Sequence, residues 1–308
     1  MGAMRERFTA VTADLIDSDP RVAVVLADIT VQPFDHVRRR FPDRVVNVGI
    51  REQAMIGTTA GMALSGLRPF AHSYAPFLIE RPFEQVKLDL SHQDLGAVLV
   101  SVGASYDWPG GGYTHHAPGD VALLDTLPDW TVHVPGHPDE AEAFLRAAAR
   151  HDDRVYVRLS SADNIRAHAR TDGGVVIMRR GSGPTVVAVG PLLDRVLAAT
   201  EGLDVTVLYA ATVRPFDTVT LRSVLAEPAV VLVEPYLRGT STGAVAEALR
   251  DVPHRVLALG VPQHTAKIYG EPSDHDAAYG LGVTALRHQI ATFGDRADGA
   301  MTYPDTGN

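Results

Sequence analysis

Residues 45–61 read VVNVGIREQAMIGTTAG. A β-branched apolar run closes on Asn47-Val48-Gly49-Ile50, and Arg51-Glu52-Gln53 then opens a stretch rich in Ala, Gly and Thr. Short β-branched runs bounded by glycine read as strands, and 51–65 reads as a small-residue helix. The spacing therefore sets one carboxylate, Glu52, at the mouth of a buried strand and on the first turn of a helix. An acid in a first turn also suits the helix dipole by itself. At this point Glu52 is either a dipole partner or a functional carboxyl.

Working outward, short apolar runs alternate with helix-length amphipathic segments. Strands are expected at 22–27, 44–48, 69–74, 97–102, 131–134 and 154–159, with helices at 4–17, 33–40, 51–65, 76–90 and 138–149. Residues 160–174 (SSADNIRAHARTDGG) are polar and without period, as an interdomain linker would be. A second series follows, with strands at 175–178, 185–189, 204–208, 229–233 and 255–259. Its helices are expected at 191–200, 218–226, 241–250 and 282–292, with a polar, frayed tail from about residue 294. Strands apolar on both faces and separated by helices form parallel sheets covered on two sides. The fold class is thus α/β: two consecutive domains, 4–165 and 174–295, each a mostly parallel sheet with helices on both faces.

The chain has 308 residues, 45% of them hydrophobic, enough for two cores. Its net charge of −9 argues against nucleic acid and anionic membranes as partners. With no cysteine, disulfides, thiolate metal sites and cysteine nucleophiles are excluded. No apolar run approaches the roughly 18 residues of a spanning helix, and no secretion-signal layout opens the chain. A cytoplasmic protein is expected.

Strand, G-I-R-E-Q and small-residue helix, in that order, resemble the transketolase family of thiamine-diphosphate enzymes. There the matching Glu activates the cofactor, so the resemblance makes Glu52 the catalytic carboxyl. The cofactor's 4′-imino tautomer needs an acid on N1′ of its aminopyrimidine, and a carboxyl held in a dry pocket can serve. The segment 68–90, RPFAHSYAPFLIERPFEQVKLDL, looks closer to the deoxyxylulose-phosphate synthase branch, on Tyr74, Phe77 and Arg81. Phe77 is the expected stacking residue for the aminopyrimidine, with Tyr74 second. Offset stacking adds about 0.5–1.5 kcal/mol beyond area burial. The plainer alternative makes Phe77 and Phe83 core residues of helix 76–90, and for Phe83 that alternative is preferred.

In 101–120, SVGASYDWPGGGYTHHAPGD, Thr114-His115 matches the family's Gly-x-Thr-His motif. The resemblance implies that His115 contacts reacting substrate oxygens, a role suited to a near-neutral pKa. His116, Arg81 and Arg158 join it as expected substrate contacts. Solvated loop histidines are the alternative. Adjacent histidines converge poorly on a metal, so no metal site is expected here. Gly110-Gly111-Gly112 is no phosphate loop, since no Gly-Lys-Ser/Thr follows. Asp28 and Ile50, at strand ends near Glu52, are assigned to the cofactor site by the resemblance, although a turn-capping Asp28 is an equal reading.

The chain also departs from the family. Sugar-phosphate transketolases carry an Asp four residues before the histidine, where Gly111 stands, and a His twelve residues before it, where Gly103 stands. Their phosphate-binding Arg falls near Ser160, with Arg158 the nearest substitute. These departures weaken the case for a ketose phosphate. Thr212–Asp217, Val233-Glu234-Pro235 and Gly239–Gly243 resemble the family's C-terminal domain, with nothing catalytic among them. The family's Gly-Asp-Gly…Asn segment for Mg²⁺ and diphosphate is missing. The resemblance thus implies a pyrimidine-binding domain and a transketolase C-terminal-like domain. They would form the second subunit of a split enzyme, with thiamine diphosphate shared across an α2β2 assembly and Mg²⁺ held mainly by a separate N-terminal diphosphate-binding subunit. The expected reaction moves a two-carbon ketol or acyl unit. A 2-oxo-acid decarboxylase or dehydrogenase β subunit is the first rival, and a degenerate scaffold the second.

Overall fold

The computed structural model describes residues 2–170, 172–263 and 268–295. The tail was expected to fray from about residue 294, but Gly294 and Asp295 close the helix Val283–Asp295; residues from 296 on lie outside the described residues. Two sheets dominate. The first holds β1 (Val22–Leu26), β2 (Val45–Asn47), β3 (Arg68–Tyr74), β4 (Val98–Val102), β5 (Trp130–His133) and β6 (Arg154–Arg158). The second holds β7 (Val176–Arg179), β8 (Thr185–Val189), β9 (Thr206–Ala210), β11 (Ala229–Leu237) and β12 (Arg255–Val261). The remaining strand, β10 (Thr212–Arg214), belongs to the first sheet.

The order is β10-β5-β6-β4-β3-β1-β2 in one sheet and β12-β11-β8-β9-β7 in the other. All ladders are parallel except β10–β5 and β7–β9. Strands β1, β4, β6, β8 and β9 are buried along their whole length, which is why their valine-rich runs show no alternation. In the first sheet β1 lies between β2 and β3. Successive connections leave it in opposite directions, and in open α/β sheets ligands bind beyond the strand carboxyl ends at such a point.

The structure corrects the sequence reading in four places. Helix 76–90 is not continuous: Pro76–Glu80 and Val86–His92 are wide π turns around a short Phe83–Gln85 helix. Pro82 lacks the N–H that would carry a regular helix through. Segment 160–174 is irregular but is no free linker. Asn164 is buried and donates through Nδ2 to Gly190 O at 3.0 Å, and the His168 and Ala169 amides donate to Glu140. Strand β10 crosses the expected boundary, pairing Thr212 with His133 of β5, so the first sheet is not built from the first half alone. Helices Asp120–Leu124 and Pro272–Tyr279 were not expected.

Among the described residues, no helix is long and apolar enough to cross a membrane. The two halves also share buried polar contacts, with Ser105 Oγ donating to Pro235 O and Arg158 resting on the Tyr236 ring.

Candidate active site

The site lies at the carboxyl ends of β2, β3 and β4. Strand β2 ends at Asn47, whose Oδ1 accepts from the backbone N–H groups of Asp28 (2.9 Å) and Gly49 (3.2 Å). Gly49 has φ +73°, the left-handed region that glycine enters at no steric cost. This turn delivers Glu52 as the first residue of the helix Glu52–Leu64. The expected geometry is therefore observed, and Glu52 is only 1% exposed. Burial of an acid to that degree separates it from an ordinary solvated first-turn glutamate.

Arg81 meets Glu52 from the π turn that follows β3. Its Nη1 donates to Glu52 Oε2 at 2.6 Å, while its Cζ lies 4.1 Å from the centre of the Phe77 ring. A planar N–H donor thus rests on the Phe77 face and bonds the Glu52 carboxylate at once. Arg81 was expected among the substrate contacts, and the structure sets it instead between the two residues expected to hold the cofactor.

The other wall comes from the loop after β4. An isolated bridge between Ser105 and Ala117 closes its base, and two 3₁₀ turns, Pro109–Gly111 and Tyr113–His115, form its tip. His115 packs edge-on against Trp108 (4.7 Å), Phe77 (5.1 Å) and Tyr74 (5.8 Å). Its Nδ1 lies 3.1 Å from Gly111 O. Thr114 Oγ1 lies 3.0 Å from the same nitrogen, so Nδ1 is engaged by a hydroxyl and a carbonyl of its own loop. Tyr74 and Trp108 stack at 5.5 Å with 21° between their planes.

This stack accounts for the two glycine departures. A Cβ on Gly103 would lie 2.5 Å from Tyr74 Cδ1, and one on Gly111 would lie 2.8 Å from Trp108 and 2.9 Å from His115. The rings occupy the space that side chains at 103 and 111 would need. Trp108 was not singled out from the sequence. The only signal was a large aromatic beside a glycine run.

Two expected site residues face the interior, and a third is taken up by a turn at the site's edge. Arg158 is 1% exposed, and its Nε donates to buried Asp120 at 2.7 Å and its Nη2 to Ser105 at 2.6 Å. Its fork is spent inside the protein, so it cannot substitute for a phosphate-binding arginine. His116 turns away from His115 into a buried cluster with His275, at 5.3 Å, and burial lowers its pKa. Asp28 accepts from Asn47 Nδ2 at 2.9 Å, which is the turn-capping alternative. Ile50 stands 70% exposed on the turn before Glu52, a large apolar side chain open to whatever covers the site. Among the described residues no group of three or more His, Asp or Glu is arranged to hold a metal.

Residues 1–164 match the transketolase pyrimidine-binding domain. The chain is 48% identical over 290 residues to an uncharacterised 33.6 kDa protein of the fasciation locus of Rhodococcoides fascians, covering 93% of each. It is 29% identical over 259 residues to a subunit of the apulose-4-phosphate transketolase of Actinobacillus succinogenes, covering 80% of this chain and 82% of that one. It superposes on a solved split-gene transketolase, described as an inactive β4 tetramer, with a TM-score of 0.81 and 26% identity. That match covers 95% of this chain and 98% of the other. The chain belongs to the transketolase family through its pyrimidine-binding domain, and its relatives include subunits of split transketolases.

Proposed function

We propose that this chain is the pyrimidine-binding and C-terminal subunit of a split transketolase-like transferase, active only with a separate diphosphate-binding subunit. One observation carries the reading: a planar N–H donor, the Arg81 guanidinium, sits on Phe77 and bonds Glu52. An aminopyrimidine needs the same two partners, a ring face and a carboxyl, so the residues fit thiamine diphosphate. When bound, the cofactor supplies the carbon that carries a two-carbon unit between carbonyl compounds. Glu52 holds the hydrogen bond at the aminopyrimidine N1′, Phe77 bears its face, and Arg81 moves aside. His115 takes a proton from a substrate hydroxyl. Tyr74 and Trp108 hold the His115 ring.

Mg²⁺ and the diphosphate belong to the partner in this reading, and an α2β2 assembly in the cytoplasm is the expected working form. The relative described as an inactive tetramer of β chains supports dependence on a partner. The test is Glu52→Ala in the reconstituted pair. We expect turnover to fall by about 10²-fold or more, with weaker binding of thiamine diphosphate by calorimetry. Turnover near that of the unaltered pair would overturn the reading.

A further inference from the structure

A cavity of about 350 Å³ opens beside the Tyr74–Trp108 stack. The two rings form one wall, Arg5 from the helix Ala3–Ser18 forms another, and Asp107, Ser160 and Ser161 close the rest. Every one of these residues lies in this chain.

The cavity holds one cation and one anion. Arg5 is fixed by Thr30, whose Oγ1 accepts from its Nε at 3.0 Å and its Nη2 at 2.7 Å. Asp107 accepts from Ser160 Oγ at 3.1 Å and from Ser161 N at 2.8 Å. Desolvation pushes its carboxyl up to about 6, against the hydrogen bonds it accepts. A carboxylate can only accept and a guanidinium can only donate, and a hydroxyl satisfies both. A phosphate ester carries about −1.5 to −2 at neutral pH and would meet Asp107 as a like charge, with Arg5 the one cationic side chain on the lining. Arg158, the other nearby cation, is spent on Asp120. Gly103 and Gly111 present no polar side chain, and two aromatic faces stand in that space.

We propose that this cavity is a substrate subsite for the uncharged, hydroxyl-bearing end of a sugar or polyol, and that Asp107 makes it reject a phosphate ester. The C–H face of the ligand lies on Trp108 and Tyr74, and its hydroxyls donate to Asp107 and accept from Arg5. That the ligand is a substrate rests on the transferase reading, but binding to the cavity needs neither cofactor nor partner.

The test is titration of ribitol and, separately, ribitol 5-phosphate into this chain at matched ionic strength. Tryptophan fluorescence gives the signal, and Trp108→Phe serves as control. We expect ribitol to bind more tightly than its phosphate, with the signal lost in Trp108→Phe. Asp107→Asn should reverse the preference by about tenfold. Should that variant fold poorly, Ser161→Arg at the exposed lip should admit the phosphate by adding a second cation. Tighter binding of the phosphate by the unaltered chain, no binding of either probe, or a signal that survives Trp108→Phe would overturn the proposal. Cofactor binding by the assembled pair is measured independently, so loss of the subsite and loss of the transferase reading are told apart.

Discussion

Glu52, Phe77 and Arg81 form a closed set. The guanidinium satisfies a buried carboxylate that would otherwise be unpaired, a condition that costs free energy in any protein interior. In the proposed function the cofactor's aminopyrimidine would take the place of the Arg81 guanidinium on Phe77, so part of its binding energy would go into displacing Arg81. Arg81→Ala should therefore destabilise the lone chain by about 1–2 kcal/mol, because a buried charge loses its partner while Arg81 itself is partly exposed. Urea unfolding would measure that. The same variant should raise affinity for thiamine diphosphate in the assembled pair by up to about tenfold. Weaker cofactor binding in calorimetry would instead make Arg81 a ligand of the cofactor. The placement of Glu52, Phe77 and His115 just after strand ends was legible because each sits in a short motif. The positions of Arg81 and Arg158 were not legible, since a long flexible side chain selects its partner in three dimensions.

At the scale of elements, the loop after β4 decides the site's shape. Gly103 has φ +66° and lies under the Tyr74 ring. Gly103→Ala should cost about 1–3 kcal/mol from backbone strain, with a further loss from the clash at 2.5 Å. In a double-mutant cycle, Tyr74→Ala should recover the clash and leave the strain. Full additivity in chemical denaturation would show that the ring moves freely. Pro82 has the complementary effect on the other wall. By ending the turn after β3, it lets the short π segment place Phe77 and Arg81 on the same side. The sequence marked both elements, but periodicity alone ran a single helix through Pro82, because the apolar residues on either side of it keep helical spacing.

Across the molecule, the halves are joined by buried polar groups. Asp120 accepts from Arg158 Nε and Tyr156 OH, each at 2.7 Å, and Arg158 lies 5.5 Å from the centre of the Tyr236 ring in the second half. Arg158→Ala should cost about 3–5 kcal/mol in urea unfolding, as expected when one member of a buried ion pair is removed. An unchanged midpoint would contradict the role assigned to this pair. Acid should weaken the fold through His72. That ring is fully buried, with Nδ1 2.7 Å from Val100 O and Nε2 2.8 Å from Thr30 Oγ1. Desolvation pushes its pKa down from 6.5 to about 3. Between those values the unfolded chain binds a proton that the native chain refuses. The stability is therefore complete above pH 6.5 and is lost progressively as pH falls toward 3. At pH 5 the loss is about 2 kcal/mol. His72→Gln should remove about one proton from the pH slope of the unfolding free energy, and an unaltered slope would exclude His72 as the cause.

The sequence by itself determined the two β/α series and the placement of Glu52 at a strand mouth. These depend on local periodicity, turn chemistry and short motifs, which a linear chain expresses directly. Only the tertiary structure decided that β10 joins the first sheet, that Arg158 and His116 face inward, and that Arg81 lies between Glu52 and Phe77. It also decided that Tyr74 and Trp108 fill the space at Gly103 and Gly111. Each of these is a choice among partners distant in sequence, made by packing space and by the need of buried polar groups for hydrogen bonds.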